Sequence, residues 1–119
     1  MRPMAEGRAC SYHRYDRTAA RFSPEPTPVP PVPVLVVEGC GSCPRVVDGW
    51  TTLRIWVEAP AALRIARGLD RDGDVLEPEW RAWQRTEAAE FAREDTRARA
   101  DLRVDGAASS RPGTFVPLD

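Results

Sequence analysis

Six prolines crowd between Pro24 and Pro33, in the run Ser-Pro-Glu-Pro-Thr-Pro-Val-Pro-Pro-Val-Pro. Each proline lacks a backbone N–H and holds φ near about −65°. No helix can pass through such a run, and neither can a central strand. The stretch reads as a polyproline arm, a stiff connector. Pro28 and Pro31 satisfy P-x-x-P spacing, but no arginine stands where an SH3-type ligand would carry one. The arm closes a polar, arginine-rich opening segment, so residues 1–33 form one portion of the chain. An α/β core is expected over 34–106 and an irregular tail over 107–119.

Apolar patterning begins at Val34. Val34-Leu35-Val36-Val37 is a continuous run ended by Glu38-Gly39, the pattern of a strand buried on both faces. Leu53-Arg54-Ile55-Trp56-Val57 is a second strand candidate, and Asp101-Leu102-Arg103-Val104 a third. Between the first two only a short helix or turn fits, around Pro44 to Trp50. Pro60 suits the first position of a helix, which is expected to reach Leu69 with Leu63, Ala66 and Leu69 inward. Asp70 to Asp74 reads as a turn. Pro78 opens a longer helix to Arg99, with Trp80, Trp83, Ala88 and Phe91 on one stripe. Its other face offers Glu90/Arg93, Glu94/Arg97 and Asp95/Arg99 pairs at helical spacing. Strands alternating with helices predict an α/β fold with a three-stranded parallel sheet.

Composition removes several functions. The 119 residues carry 17 basic and 18 acidic side chains, a net charge of −1. That balance gives no electrostatic footprint for nucleic-acid binding. All the basic residues are arginine; with no lysine, Schiff-base and lysine-base chemistry are excluded, as is a P-loop lysine. No asparagine is present, so N-glycosylation is excluded. The apolar run at 34–37 is far short of the roughly 20 residues a bilayer span needs. The opening residues lack a signal-peptide pattern, so a cytoplasmic protein is expected. Three cysteines make no disulfide framework at this size.

Arg64, Arg67 and Arg71 fall at i, i+3 and i+7, which puts three guanidiniums on one helical face. Like charges so placed repel unless an anion sits among them, and arginine suits a transferring phosphoryl group. The competing reading is a solvated basic face balanced by Asp70, Asp72 and Asp74. Glu38, at the end of a buried strand, would stand at the carboxyl edge of a parallel sheet, where ligands of open α/β folds bind. It could there hold a magnesium ion; the alternative is an ordinary strand-end acid.

In this order, VLVVEG (34–39), LRIWVEAPAALRIARGLDRDG (53–73), a tryptophan-bearing helix and ADLRVDG (100–106) resemble the second half of a uridine kinase-like P-loop protein. YHRYDRTAARF (12–22) is similar to the Tyr-Asp segment that precedes the Glu-Gly strand in that family. The resemblance implies a partial P-loop kinase-like sheet with a lid helix and a long C-terminal helix. It implies that Arg64, Arg67 and Arg71 are lid arginines on the phosphates, and that Tyr15 and Asp16 line a nucleoside pocket. It also gives Glu38 a magnesium role. The reaction implied for the complete family is transfer of the ATP γ-phosphoryl group to a nucleoside 5′-hydroxyl, with Mg²⁺ and ATP as cofactors. The Walker A loop G-x-x-x-x-G-K-[ST] is absent from this chain, and Ala20 occupies the region where some relatives carry a histidine. No ATP turnover is therefore expected from this chain alone. Uncovered apolar residues Val34, Val36, Ile55 and Val57 would favour self-association.

Other readings compete for the cysteines. Cys40-Gly-Ser-Cys43-Pro44 has thioredoxin-like C-x-x-C spacing, although little room for a helix follows. Cys10-x-x-His13 with Cys40-x-x-Cys43 could supply four zinc ligands. The plain alternative leaves His13 on the surface and the cysteines as small fillers. Asp70-Arg-Asp72-Gly-Asp74 is not an EF-hand loop, because its glycine comes fourth rather than sixth.

Overall fold

The computed structural model describes residues 2–16, 19–108 and 110–119. They are organised as mixed α/β structure in two units, residues 1–38 and 39–119. Arg17 and Thr18, inside the 12–22 motif, and Ser109 in the tail lie outside the described residues.

In the first unit a single helical turn, α1 (Arg2–Ala5), precedes two antiparallel strands, β1 (Cys10–Asp16) and β2 (Arg21–Val29). The proline run is thus a strand over half its length, where a polyproline arm was expected. The register gives the reason. Cys10, Ser11, Tyr12 and His13 face Val29, Pro28, Thr27 and Pro26. Pro28 and Pro26 are two apart, so both occupy positions whose N–H would point away from β1. Thr27 and Val29 carry the ladder bonds instead. Pro24 falls where the register shifts between His13 and Tyr15, and a bulge on an edge strand also tolerates proline.

Residues 30–38 join no ladder. Val34 and Val36 are 77% and 80% exposed, and Leu35 and Val37 are exposed as well. The doubly buried strand expected at 34–37 is therefore not formed, and Glu38 ends no strand. A strand buried on both faces needs neighbours along its edges and cover above and below. Among the described residues, this segment has neither.

The second unit is a parallel pair, β3 (Ile55–Glu58) and β4 (Leu102–Asp105), joined through α2 (Ala61–Asp72) and α3 (Glu77–Glu94). Ile55 lies opposite Leu102 and Glu58 opposite Asp105. Three parallel strands were expected; among the described residues the parallel sheet has two. The tail, which has no periodicity, nonetheless returns along β4. Asp105 N–H donates to Val116 O and Leu118 N–H to Arg103 O, both at 2.8 Å, around an antiparallel bridge between Val104 and Pro117.

Both helices end where left-handed or related backbone is forced. Helix α2 continues past Leu69 to Asp72 and stops at Gly73, whose φ of 95° favours glycine. Helix α3 stops at Asp95, φ 52°, short of Arg99. Asp95/Arg99 and Glu94/Arg97 consequently do not pair along a helix. Arg99 reaches Asp48, and Arg97 donates to Glu58 at 2.7 Å. Glu90/Arg93 forms as expected, at 2.7 Å.

The helices meet through Gly68 and the Trp80 indole; a Cβ on Gly68 would lie 2.6 Å from that ring. Trp56 on β3 meets Phe91 on α3 edge to face, centroids 4.6 Å apart. Ala66, Trp83 and Ala88, expected inward, are exposed. The inward stripe of α3 is instead Trp80, Gln84, Glu87, Phe91 and Glu94, successively four, three, four and three residues apart. Two of its five members are glutamates, and they are the most buried residues of the helix.

Candidate functional site

Carboxylates at helix core positions must find partners, because an unpaired buried charge is costly. Glu87 and Glu94 are 8% and 6% exposed, two helical turns apart on one face. They clasp the loop that leads into a short 3₁₀ turn at Arg45–Trp50. Cys40 Sγ–H donates to Glu87 Oε1 at 2.9 Å, and Arg45 N–H donates to Glu94 Oε2 at 2.6 Å. The second oxygen of Glu87 takes the Arg64 guanidinium from α2, and Glu94 also pairs with Arg93 at 2.6 Å. The Arg45 N–H holds the Glu94 carboxyl below the usual carboxylate range. Burial and the hydrogen bond to Glu87 both push the Cys40 thiol up, since each disfavours a thiolate.

The start of β3 is tied to the same loop region. Arg99 and Arg54 converge on Asp48, Arg54 at 3.3 Å, and Arg54 also contacts Asp101 at 3.2 Å. The hydrogen bond from Arg99 holds the Asp48 carboxyl below its ordinary value, with Arg54 adding to it. Arg99 also donates to the Cys43 carbonyl at 3.3 Å.

At the opposite end, the carboxyl termini of β3 and β4 form a rim. An open hollow of about 340 Å³ there is lined by Glu58, Ala59, Pro60, Asp105, Ala107 and Leu118. The carboxyl ends of parallel strands are where open α/β folds bind ligands. Arg67 Nη1 donates to the Gly106 carbonyl at this rim, at 2.7 Å. Gly106 is required by close approach, because a Cβ would lie 2.8 Å from Val57 Cγ1 and 3.1 Å from Glu58 O. Arg97 holds Glu58 below the usual carboxylate range.

The three arginines of α2 thus have three different partners. Arg64 is bound to buried Glu87, and its Nε is itself buried without a partner. Arg67 contacts a neutral carbonyl. Arg71 pairs with Asp72 at 2.7 Å, and its guanidinium lies 5.6 Å from the Trp80 ring centroid.

Tyr15 and Asp16 are neighbours at the end of β1. Tyr15 is exposed and packs edge-on against Phe22 at 5.1 Å, while Asp16 accepts the Ala19 N–H at 2.9 Å. Both thus make contacts near the paired ends of β1 and β2. Glu38 is exposed in unpaired chain. Among the described residues no three His, Cys, Asp or Glu side chains gather as a metal site. Of the side chains named as zinc ligands, His13 has Nδ1 2.7 Å from the Ser23 carbonyl, and Cys40 donates to Glu87. Among the described residues no helix is long and apolar enough to cross a membrane.

The buried glutamates were not legible as site residues. In sequence they sit within Glu/Arg-rich spacing that resembles a solvated helical face, and only the packing of α3 turns them inward. No family model, curated protein or solved structure matches this chain.

Proposed function

We propose that this chain corresponds to the lid and nucleoside side of a uridine kinase-like fold, and that by itself it binds phosphate-bearing nucleotides without turning over ATP. The observation that carries this reading is Arg67. It extends from α2, the helix that follows β3 directly, to the rim where β3 and β4 both end. Among the described residues its hydrogen bond goes to a neutral carbonyl, which leaves its charge for an anion at the rim. Parallel pairing of β3 with β4 across two helices supports the same reading. The phosphate role of the arginine triplet narrows accordingly, since Arg64 is engaged with Glu87 and Arg71 with Asp72. Absence of a Walker A loop and of lysine leaves nothing to cradle the ATP β- and γ-phosphates.

The test is calorimetric titration with uridine monophosphate and triphosphate, run beside an ADP-release assay with uridine or cytidine. Binding that weakens at least several-fold in Arg67→Gln, with no ADP release above a no-enzyme control, is the expected result. Absence of binding, or binding indifferent to Arg67, refutes the nucleotide reading. Multiple-turnover ADP release refutes the inactive one.

A second reading is favoured by the sheet. Ile55 and Val57 are 54% and 62% exposed on β3, and no described side chain is fully buried. Uncovered apolar surface of this kind favours association with another protein or a second copy. Size-exclusion chromatography across a concentration series tests the second copy: a concentration-dependent shift to larger species supports self-association, and a constant monomer excludes it.

A further inference from the structure

Cys40 and Cys43 belong to one short loop. Gly39, at φ 130°, opens it, and Ser42 N–H donates to Gly39 O at 3.1 Å to close a turn. Both cysteines line the same small hollow, with Gly41, Pro44, Glu90 and Glu94. Both are free thiols; Cys40 is exposed and Cys43 half-buried. Their attachments differ. The Cys43 carbonyl is held by Arg99, and the next residues are pinned by Glu94 through Arg45 N–H. Cys40 is held to α3 by its side chain, through the Sγ–H···Oε1 contact with Glu87.

We propose that Cys40 and Cys43 form a dithiol that exchanges with small-molecule disulfides, and that closing the Cys40–Cys43 bridge unclips the loop from Glu87 on α3. The exchange balances in two steps. The Cys43 thiolate attacks one sulfur of a disulfide RSSR, forming a Cys43–SR mixed disulfide and releasing RS⁻. Cys40 then gives its proton to Glu87, which passes it to water, and its sulfur displaces the second RS⁻ from Cys43. Two protein thiols are oxidised, one RSSR is reduced, and two RSH leave after protonation. The order follows from the geometry. Cys40 Sγ–H is committed to a carboxylate, which disfavours its thiolate and makes Cys43 the first attacker. Once the bridge closes, Cys40 has no proton to donate, and buried Glu87 Oε1 loses that partner.

The proposal does not depend on the nucleotide reading and is tested without nucleotide. The protein is prepared with Cys10→Ser, because Cys10 is a third thiol, and equilibrated with oxidised glutathione. Intact mass should fall by two hydrogens, and peptide mapping should place the bridge between Cys40 and Cys43. In the same background Cys40→Ser should stop at a glutathione adduct on Cys43, while Cys43→Ser should gain little adduct on Cys40. Cys40→Ser keeps an O–H donor for Glu87, so its melting temperature should match that of the reduced protein. The bridged form should instead show faster amide exchange over residues 40–45. Two thiols that stay free, or that link only between molecules, overturn the dithiol. Faster adduct formation at Cys40 than at Cys43 overturns the order of attack. A bridge that leaves exchange over 40–45 unchanged overturns the unclipping.

Discussion

Gly68→Ala isolates the contact between α2 and α3. Alanine in a helix interior is favoured over glycine by roughly 0.5–1 kcal/mol, so an exposed site would gain stability. Gly68 is buried, and the added methyl would meet three Trp80 ring atoms at 2.6, 2.7 and 2.9 Å. Those atoms belong to a rigid bicyclic ring rather than a flexible tip, and Arg71 lies over the same ring. Overpacking of this kind costs about 1–3 kcal/mol. Subtracting the propensity gain leaves a net destabilisation of roughly 0–2.5 kcal/mol, centred on about 1.3 kcal/mol. For a unit of this size each kcal/mol moves the melting temperature by roughly 4–8 °C. At the centre of that range the expected drop is about 5–10 °C by calorimetry or circular dichroism. A cycle with Trp80→Leu apportions the effect: with the indole gone, Gly68→Ala should be neutral or stabilising. If Gly68→Ala alone raises the melting temperature, the helices do not meet at this position and the packing argument fails.

Phe91→Ala removes the half-buried edge-on partner of Trp56 and should cost about 2 kcal/mol, roughly half the ~3–5 kcal/mol of a fully buried phenylalanine, read from the denaturant midpoint. Thr27→Pro should abolish amide protection at its β1 partner Tyr12, while Pro28→Thr should leave the hairpin intact by NMR, because position 27 donates to the ladder and position 28 does not. Asp48, Glu58 and Glu94 are all held below the ordinary carboxylate range by arginine or backbone N–H partners. The sign follows directly: their contribution is complete above the unfolded values of about 4 and is lost as pH falls through the lower folded ones. The urea midpoint should therefore hold steady from neutrality to about pH 5 and decline below about pH 4, with a shallower decline in Asp48→Asn.

Local signals determined much of the second unit. Pro60, placed at a helix entry, directly precedes α2, and the strands around Ile55 and Leu102 run parallel as their separation by helices requires. The spacing of Arg64, Arg67 and Arg71 placed them on α2, because helical periodicity is a property of the chain itself. Tertiary contacts decided their partners. Nothing in the spacing could assign Glu87 to Arg64, Gly106 to Arg67 or Asp48 to Arg99, since these pairs lie 23, 39 and 51 residues apart. The apolar run at 34–37 has every local mark of a buried strand, yet a strand exists only where another backbone accepts its hydrogen bonds. The proline run is the reverse case. Its composition argues against pairing, and the register permits it because Pro26 and Pro28 share one parity. Most decisive is α3, whose inward face follows from what packs against it rather than from its own hydrophobicity. Cys40 and Arg45 offered donors, and Arg64 a charge, so Glu87 and Glu94 could turn inward while Trp83 stayed exposed.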